Sequence, residues 1–283
     1  MYIGHLKVIS FVAIAFAVSP LVYATSSLDL SAHPRSAVRL PGESFQSALR
    51  RYWAKSGGLD RAKFETGQTA LQMALPVDHL KYDRLPHWAS PEILSRGFKQ
   101  TRDMRFLTTE DHPGFLRRSS WLYPDDGCFA RAALASQNLG RWGYPRPAKI
   151  FIFGDLTVKT ANSPSGVVNW WYHVVASVIV NQGVAILDPA IEPSRPLSLR
   201  EWVLRMTSTV SEVKISICDP ATYTPNDLCD APDSQSERSA AADQSIYLSA
   251  EWERLIEMHR DPLRELGEFP PWLGFRMLNR RPY

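Results

Sequence analysis

Cysteine is scarce in this 283-residue sequence, with three in all, at 128, 218 and 229. Charge of one sign is scarce too: 32 Lys and Arg against 29 Asp and Glu leave a formal +3. That imbalance is too small for the basic footprint of a nucleic-acid binder, so no such partner is expected. Long apolar runs are nearly absent. One runs over residues 8–18, shorter than the ~20 residues that a membrane span needs. No later stretch is long and apolar enough to cross a bilayer, and no internal repeat is visible. What remains is ordinary: 45% hydrophobic and 22% charged residues, enough for a packed core in one large domain or two small ones.

The apolar run follows His5 and Lys7 and ends in small residues, Val22 and Ala24, ahead of Thr25. That order of a weakly basic start, an apolar stretch and a small-residue site reads as a cleavable signal peptide over 1–24. The alternative is an uncleaved N-terminal anchor. Export, whether secreted or periplasmic, exposes thiols to oxidation. Three cysteines then leave one over. Cys218 and Cys229 flank a ten-residue polar stretch with two prolines and are expected to pair. Cys128 is then the free thiol. It is either a nucleophile or a small, inert residue at a helix start.

Helical spacing of Phe45, Leu49, Tyr52 and Trp53 predicts a helix over 43–56. Further helices are expected over 61–75, interrupted by Gly67, and over 91–104, with a proline-rich connector between them. Bulky residues at 117–123 suggest a short strand, and "PDDG" at 124–127 a turn. A helix is predicted from Cys128 to Leu139. Strands follow at 149–158, 167–180 and 184–189, the last two joined by the hairpin signal "NQG". Ser198 and Glu201 form a capping box for a helix to 206, with Leu197 and Trp202 at its staple positions. A strand at 213–218, a long loop at 219–245 and a helix at 249–261 complete the pattern. It predicts an α+β fold, with an antiparallel sheet packed on the helix that carries Cys128. An N-terminal, mostly helical segment occupies 25–114, and the main domain 115–283.

A cysteine at a helix start gains twice from one piece of backbone. The unpaired N–H groups favour a thiolate, and they can also hold an oxyanion. Asp125 and Asp126 oppose the first effect unless one of them caps the helix. A nucleophile also needs a base. Of the seven histidines, His173 stands apart, set in the aromatic and β-branched run "WWYHVVASVIV". A polar ring there needs a partner, which in a purely structural role is a backbone group. Asp188 closes the next strand in "VAILDP" and can orient the ring; its other reading is a turn residue. If the hairpin turns tightly at Gln182 and Gly183, Asp188 falls opposite Ser177. His173 is then about 13 Å too far along the strand, so the register has to differ.

Three segments, "YPDDGCFARA", "NWWYHVVASV" and "AILDPAIEPSRPLSLREW", together resemble the bacterial protein glutaminases, secreted protein deamidases with a transglutaminase-like, papain-related fold. The likeness spans roughly 119–206. It implies a catalytic triad of Cys128, His173 and Asp188, and hydrolysis of protein-bound glutamine to glutamate with release of ammonia. It implies no metal and no organic cofactor. The partner expected is a protein or peptide with an exposed glutamine, acted on by a monomer that is not held in a membrane. The likeness also implies a proenzyme, with 25 to about 85 as the removable segment; an ordinary helical subdomain is the competing reading. Trp121, Tyr123, Trp170 and Trp171 are candidates for the walls of a narrow substrate entry, or for core. Transglutaminases and cysteine peptidases use the same triad and remain the rival activities. A secreted binding protein with a triad-like core is the non-enzymatic alternative.

Overall fold

The computed structural model describes residues 33–55 and 65–273. The expected signal peptide at 1–24 lies outside them. One antiparallel sheet organises the chain: β1 (Leu75–Pro76), β2 (Ala148–Lys159), β3 (Val167–Val180), β4 (Gly183–Leu187), β5 (Leu197–Ser198) and β6 (Lys214–Cys218). Their spatial order is β1-β6-β2-β3-β4-β5. The helices are α1 (Phe45–Lys55), α2 (Pro91–Asp103), α3 (Cys128–Arg141), α4 (Leu199–Met206), α5 (Ala240–Glu257) and α6 (Pro262–Leu266). The fold is therefore α+β.

β3 is central and almost wholly buried, which accounts for its near-continuous apolar run. The Cys128 helix, α3, lies against β3, and α5 packs on α3. At the start of α2, Ser90 accepts a hydrogen bond from the Ile93 N–H, and Pro91 takes the first turn. At the start of α4 the capping box is complete: the Ser198 hydroxyl accepts from the Glu201 N–H, and Glu201 reaches back to the Ser198 backbone. Cys218 and Cys229 are joined in a disulfide, and Cys128 is free and buried.

Three expected elements differ. Residues 117–123 form no strand. Their polar side chains turn inward, and the Leu122 N–H donates to the Glu251 carboxylate at 2.7 Å instead of to a strand partner. Within the expected helix over 61–75, residues 66–75 are not helical. The N–H groups at Ala70 and Leu71 go to the carbonyls of Asp227 and Pro225, tying this stretch to the disulfide loop. Finally, α5 starts at Ala240, inside the expected loop. Its Asp243 and Gln244 are buried, where Asp243 accepts from the Tyr223 hydroxyl at 2.6 Å and Gln244 Nε2 donates to the Ser120 hydroxyl at 2.5 Å. Composition cannot anticipate such pairing.

The core also crosses the expected boundary at 114. Ala37, Ala48, Tyr52, Ala70 and Leu85 share one apolar cluster with Phe129, Phe151 and Trp171.

Candidate active site

The His–Asp register is settled by the hairpin. The turn is Asn181–Gln182, both at positive φ (50° and 63°), with Val180 opposite Gly183 and Ala176 opposite Leu187. Two residues with positive φ make the tight hairpin turn whose twist suits the strands. The turn therefore sits one residue earlier than the expected Gln182–Gly183. One step beyond the last pair brings Asp188 level with Val175 rather than Ser177. His173 is then two residues away on the same face, roughly 7 Å along the strand, a gap that two side chains can close. They do: His173 Nε2 lies 2.8 Å from Asp188 Oδ2.

The same carboxylate oxygen accepts the indole N–H of Trp202 at 2.9 Å. Trp202 is fully buried on α4, where the capping box fixes the first turn. Burial alone would push the Asp188 carboxyl up. The His173 ring and the Trp202 N–H more than offset this and hold it below the ordinary carboxylate range. The indole of Trp170 stacks on the imidazole, with ring centroids 4.4 Å apart and planes within 10°. The second ring nitrogen, His173 Nδ1, is buried and has no hydrogen-bond partner among the described residues.

Cys128 opens α3. The Val174 backbone N–H, next to His173 in the chain, favours the anionic form of its sulfur. The preceding Gly127 is left-handed (φ 78°), and a Cβ there would lie 2.5 Å from the Tyr247 ring. Glycine is thus required for both conformation and space. Arg131, one helical turn on, reaches back with Nη1 to the carbonyls of Tyr123 at 3.0 Å and Asp126 at 2.6 Å. This clamps the loop that delivers the cysteine.

The two aspartates ahead of Cys128 divide. Asp125 faces outward to Arg254, at 2.8 and 3.2 Å. Asp126 is buried and does not cap the helix. Its Oδ1 accepts from the Gly127 N–H at 2.8 Å and the Ala37 N–H at 3.0 Å. Burial pushes its pKa up to about 6, against those hydrogen bonds.

The thiol itself is covered in this form of the chain. Cys128 is 2% exposed, and burial pushes its pKa up to about 12. The segment 33–39 lies along β3 and α3, beside neighbours of Cys128. Val38 bridges to Trp170, the Trp171 N–H donates to the Ala37 carbonyl at 3.0 Å, and the Arg39 N–H donates to the Asn169 carbonyl at 2.9 Å. The Trp171 indole and the Tyr172 hydroxyl donate to the Ser36 and Arg35 carbonyls. His33 stacks on Phe129 at 5.7 Å, and Arg35 pairs with Asp243 at 3.1 Å.

The four aromatic candidates separate. Trp170 lies on the His173 ring. Trp171 points away, as strand neighbours do, and packs on Tyr52 and Phe45 of α1. Tyr123 lies beneath the Arg254 guanidinium, and Trp121 near that of Arg131. All four are buried. Trp202 and Arg131 were not among the expected site residues. A tryptophan at the fourth position of a boxed helix, and an arginine three residues after the cysteine, were the available signals. Among the described residues no cluster of His, Cys, Asp and Glu could hold a metal ion.

Comparison with known proteins finds one family model and several solved structures similar to this chain. A family model described as glutaminase matches residues 94–206, a stretch containing Cys128, Arg131, His173, Asp188 and Trp202. No curated protein matches the chain. Among solved structures, a mutant of pro-protein-glutaminase is 21% identical, with 68% of each chain covered and a TM-score of 0.46. Pro-protein-glutaminase itself is 20% identical over the same shares, with a TM-score of 0.45. Protein-glutaminase from Chryseobacterium proteolyticum is 23% identical, over 54% of this chain and 87% of that one, with a TM-score of 0.40. The stretch of chain that carries Cys128, His173 and Asp188 is thus the part that resembles the glutaminase family.

Proposed function

We propose that this chain is a protein glutamine deamidase, with Cys128 as nucleophile, His173 as general base and acid, and Asp188 as the group that orients the ring. The observation that carries the reading is the asymmetry of His173. One nitrogen is braced by Asp188, itself held by Trp202, while the other is bare and buried. A purely structural histidine in a core would have both nitrogens satisfied or one in solvent. The family match supplies the substrate class.

The chemistry follows in two halves. The Cys128 sulfur attacks the carboxamide carbon of a glutamine side chain while His173 takes the thiol proton. N–H groups at the start of α3 hold the oxyanion. His173 returns the proton to nitrogen, the C–N bond breaks and ammonia leaves. Water, deprotonated by His173, then hydrolyses the thioester and yields glutamate. Asp188 keeps the ring in the working tautomer and stabilises its charge. The reaction so written uses no metal or organic cofactor. Trp170, stacked on the ring, is the aromatic candidate nearest the chemistry.

The covered thiol supports a proenzyme reading, in which the chain around 33–39 has to leave before Cys128 reacts. The disulfide, and the expected signal peptide, fit an exported protein that acts on other proteins. The test is to incubate the chain, before and after limited proteolysis, with a glutamine-containing protein. Ammonia and a +1 Da change without cleavage are expected. Peptide fragments would replace the reading with a peptidase, and incorporation of an added amine with a transglutaminase.

A further inference from the structure

Arg131 is a buried cation beside the nucleophile, and deamidation as written gives its charge no task. It is 2% exposed and lies three residues after Cys128 on α3, hence on the same helical face. Its hydrogen bonds all go to neutral oxygens: the carbonyls of Ser120, Tyr123 and Asp126 and the Ser120 hydroxyl. Nη2 is buried with no partner among the described residues. A buried guanidinium is ordinarily matched by a carboxylate, because desolvating a cation alone is costly. The neutral fork therefore leaves its charge available to its surroundings.

The groups around the Cys128 sulfur are mostly of the other sign. Asp126 approaches from the preceding loop, Asp188 from the end of β4, Tyr172 from β3 and Tyr247 from α5. His173 and the Val174 N–H belong to β3. Arg131 is the cation that favours the anionic forms of Cys128, Asp126 and Asp188 together.

We propose that Arg131 is a positioning residue whose unneutralised charge makes the Cys128 thiolate attainable in a site otherwise lined by acids and phenols. It clamps the 120–126 loop with hydrogen bonds, and its charge works through the sulfur without touching the substrate. This deepens the deamidase reading by assigning the source of nucleophile activation, which the buried helix start alone does not supply.

The test reads the thiol directly. Cys128 is the one cysteine outside the disulfide, so methyl methanethiosulfonate, a small neutral reagent, reports on it alone. Second-order rates are measured from pH 6 to 9 on the full chain after the limited proteolysis described above, for wild type, Arg131→Lys and Arg131→Gln, with thermal unfolding of each. Arg131→Gln is expected to slow the reaction by about tenfold or more at each pH, one pKa unit being a tenfold change in thiolate. Arg131→Lys keeps the charge, loses the fork and is expected to stay within about threefold of wild type. A merely structural arginine gives the opposite sign, since a loosened loop exposes the sulfur and speeds both variants. Faster reaction, equal rates in all three proteins, or Lys as slow as Gln would overturn the proposal. Should Arg131→Gln not fold, a tenfold slowing in a folded Arg131→Lys protein overturns it, and a near-native rate there supports it. Ammonia release is measured separately. A thiol that responds as expected in a chain that never releases ammonia sinks the deamidase reading and leaves Arg131 standing.

Discussion

His173 meets Asp188 through Nε2, at 2.8 Å, and leaves Nδ1 without a partner among the described residues. One ring nitrogen is thus held by a carboxylate and the other is left bare, the division that the proposed role of His173 as base requires.

The first consequence concerns Cys128 itself. Cys128→Ala is expected to abolish ammonia release while moving the thermal midpoint by no more than a few degrees, since it removes one sulfur from the core. A large loss of stability with activity retained would make the residue structural.

Trp202 is expected to act through Asp188. Trp202→Phe keeps the ring and deletes the N–H donated to the carboxylate. A hydrogen bond to a charged group is worth roughly 1.5–3 kcal/mol, so kcat should fall by about 10- to 100-fold with KM little changed. Unchanged kcat together with an unchanged pH profile would show that the indole only fills space.

Asp126 predicts a pH dependence of stability. Its pKa in the folded chain is raised to about 6 from 3.8. The folded state therefore binds the proton more tightly than the unfolded state does. Its contribution to stability is full below about pH 3.8 and is lost as the pH rises through about 6. Two pKa units correspond to roughly 3 kcal/mol. Urea unfolding of wild type and Asp126→Asn at pH 4 and pH 7 should show the wild type losing about that much relative to the variant. A difference independent of pH would mean that Asp126 is ionised at all these values.

Gly127→Ala meets the Tyr247 ring and a left-handed backbone at once. A loss of about 2 kcal/mol or more is expected in chemical unfolding, with reduced activity, because the residue sets the entry of the chain into α3. A variant of native stability would show that α5 can move aside.

Cys218 and Cys229 close a short loop, joined at a separation of 11 residues. Cys229→Ser is expected to lower stability by about 3 kcal/mol and to spare the chemistry at Cys128. Insensitivity of wild type to reductant in the same assay would remove the disulfide from the stability account.

Much of the site is legible in the chain because local rules act locally. The turn chemistry before Cys128, the apolar run around His173 and the capping box at Ser198 each specify an element from neighbours in sequence. The free thiol and the Cys218–Cys229 pair follow from counting. The strand expected at 117–123 fails because its polar side chains and the Leu122 N–H find partners more than a hundred residues away, Glu251 among them. The late start expected for α5 fails for the same reason, since Asp243 and Gln244 look like loop residues until their partners are known.

The sequence by itself determined which residues could do chemistry: one unpaired cysteine at a helix start, one histidine inside an apolar strand and one aspartate at the end of the next. Tertiary structure alone decided whether they meet and in what state. A turn one residue earlier than expected brought Asp188 to His173. A segment about ninety residues upstream in the chain packs along α3 and β3, and the sulfur is buried. The physical reason is that register and desolvation depend on groups distant in sequence, and no local pattern encodes their approach.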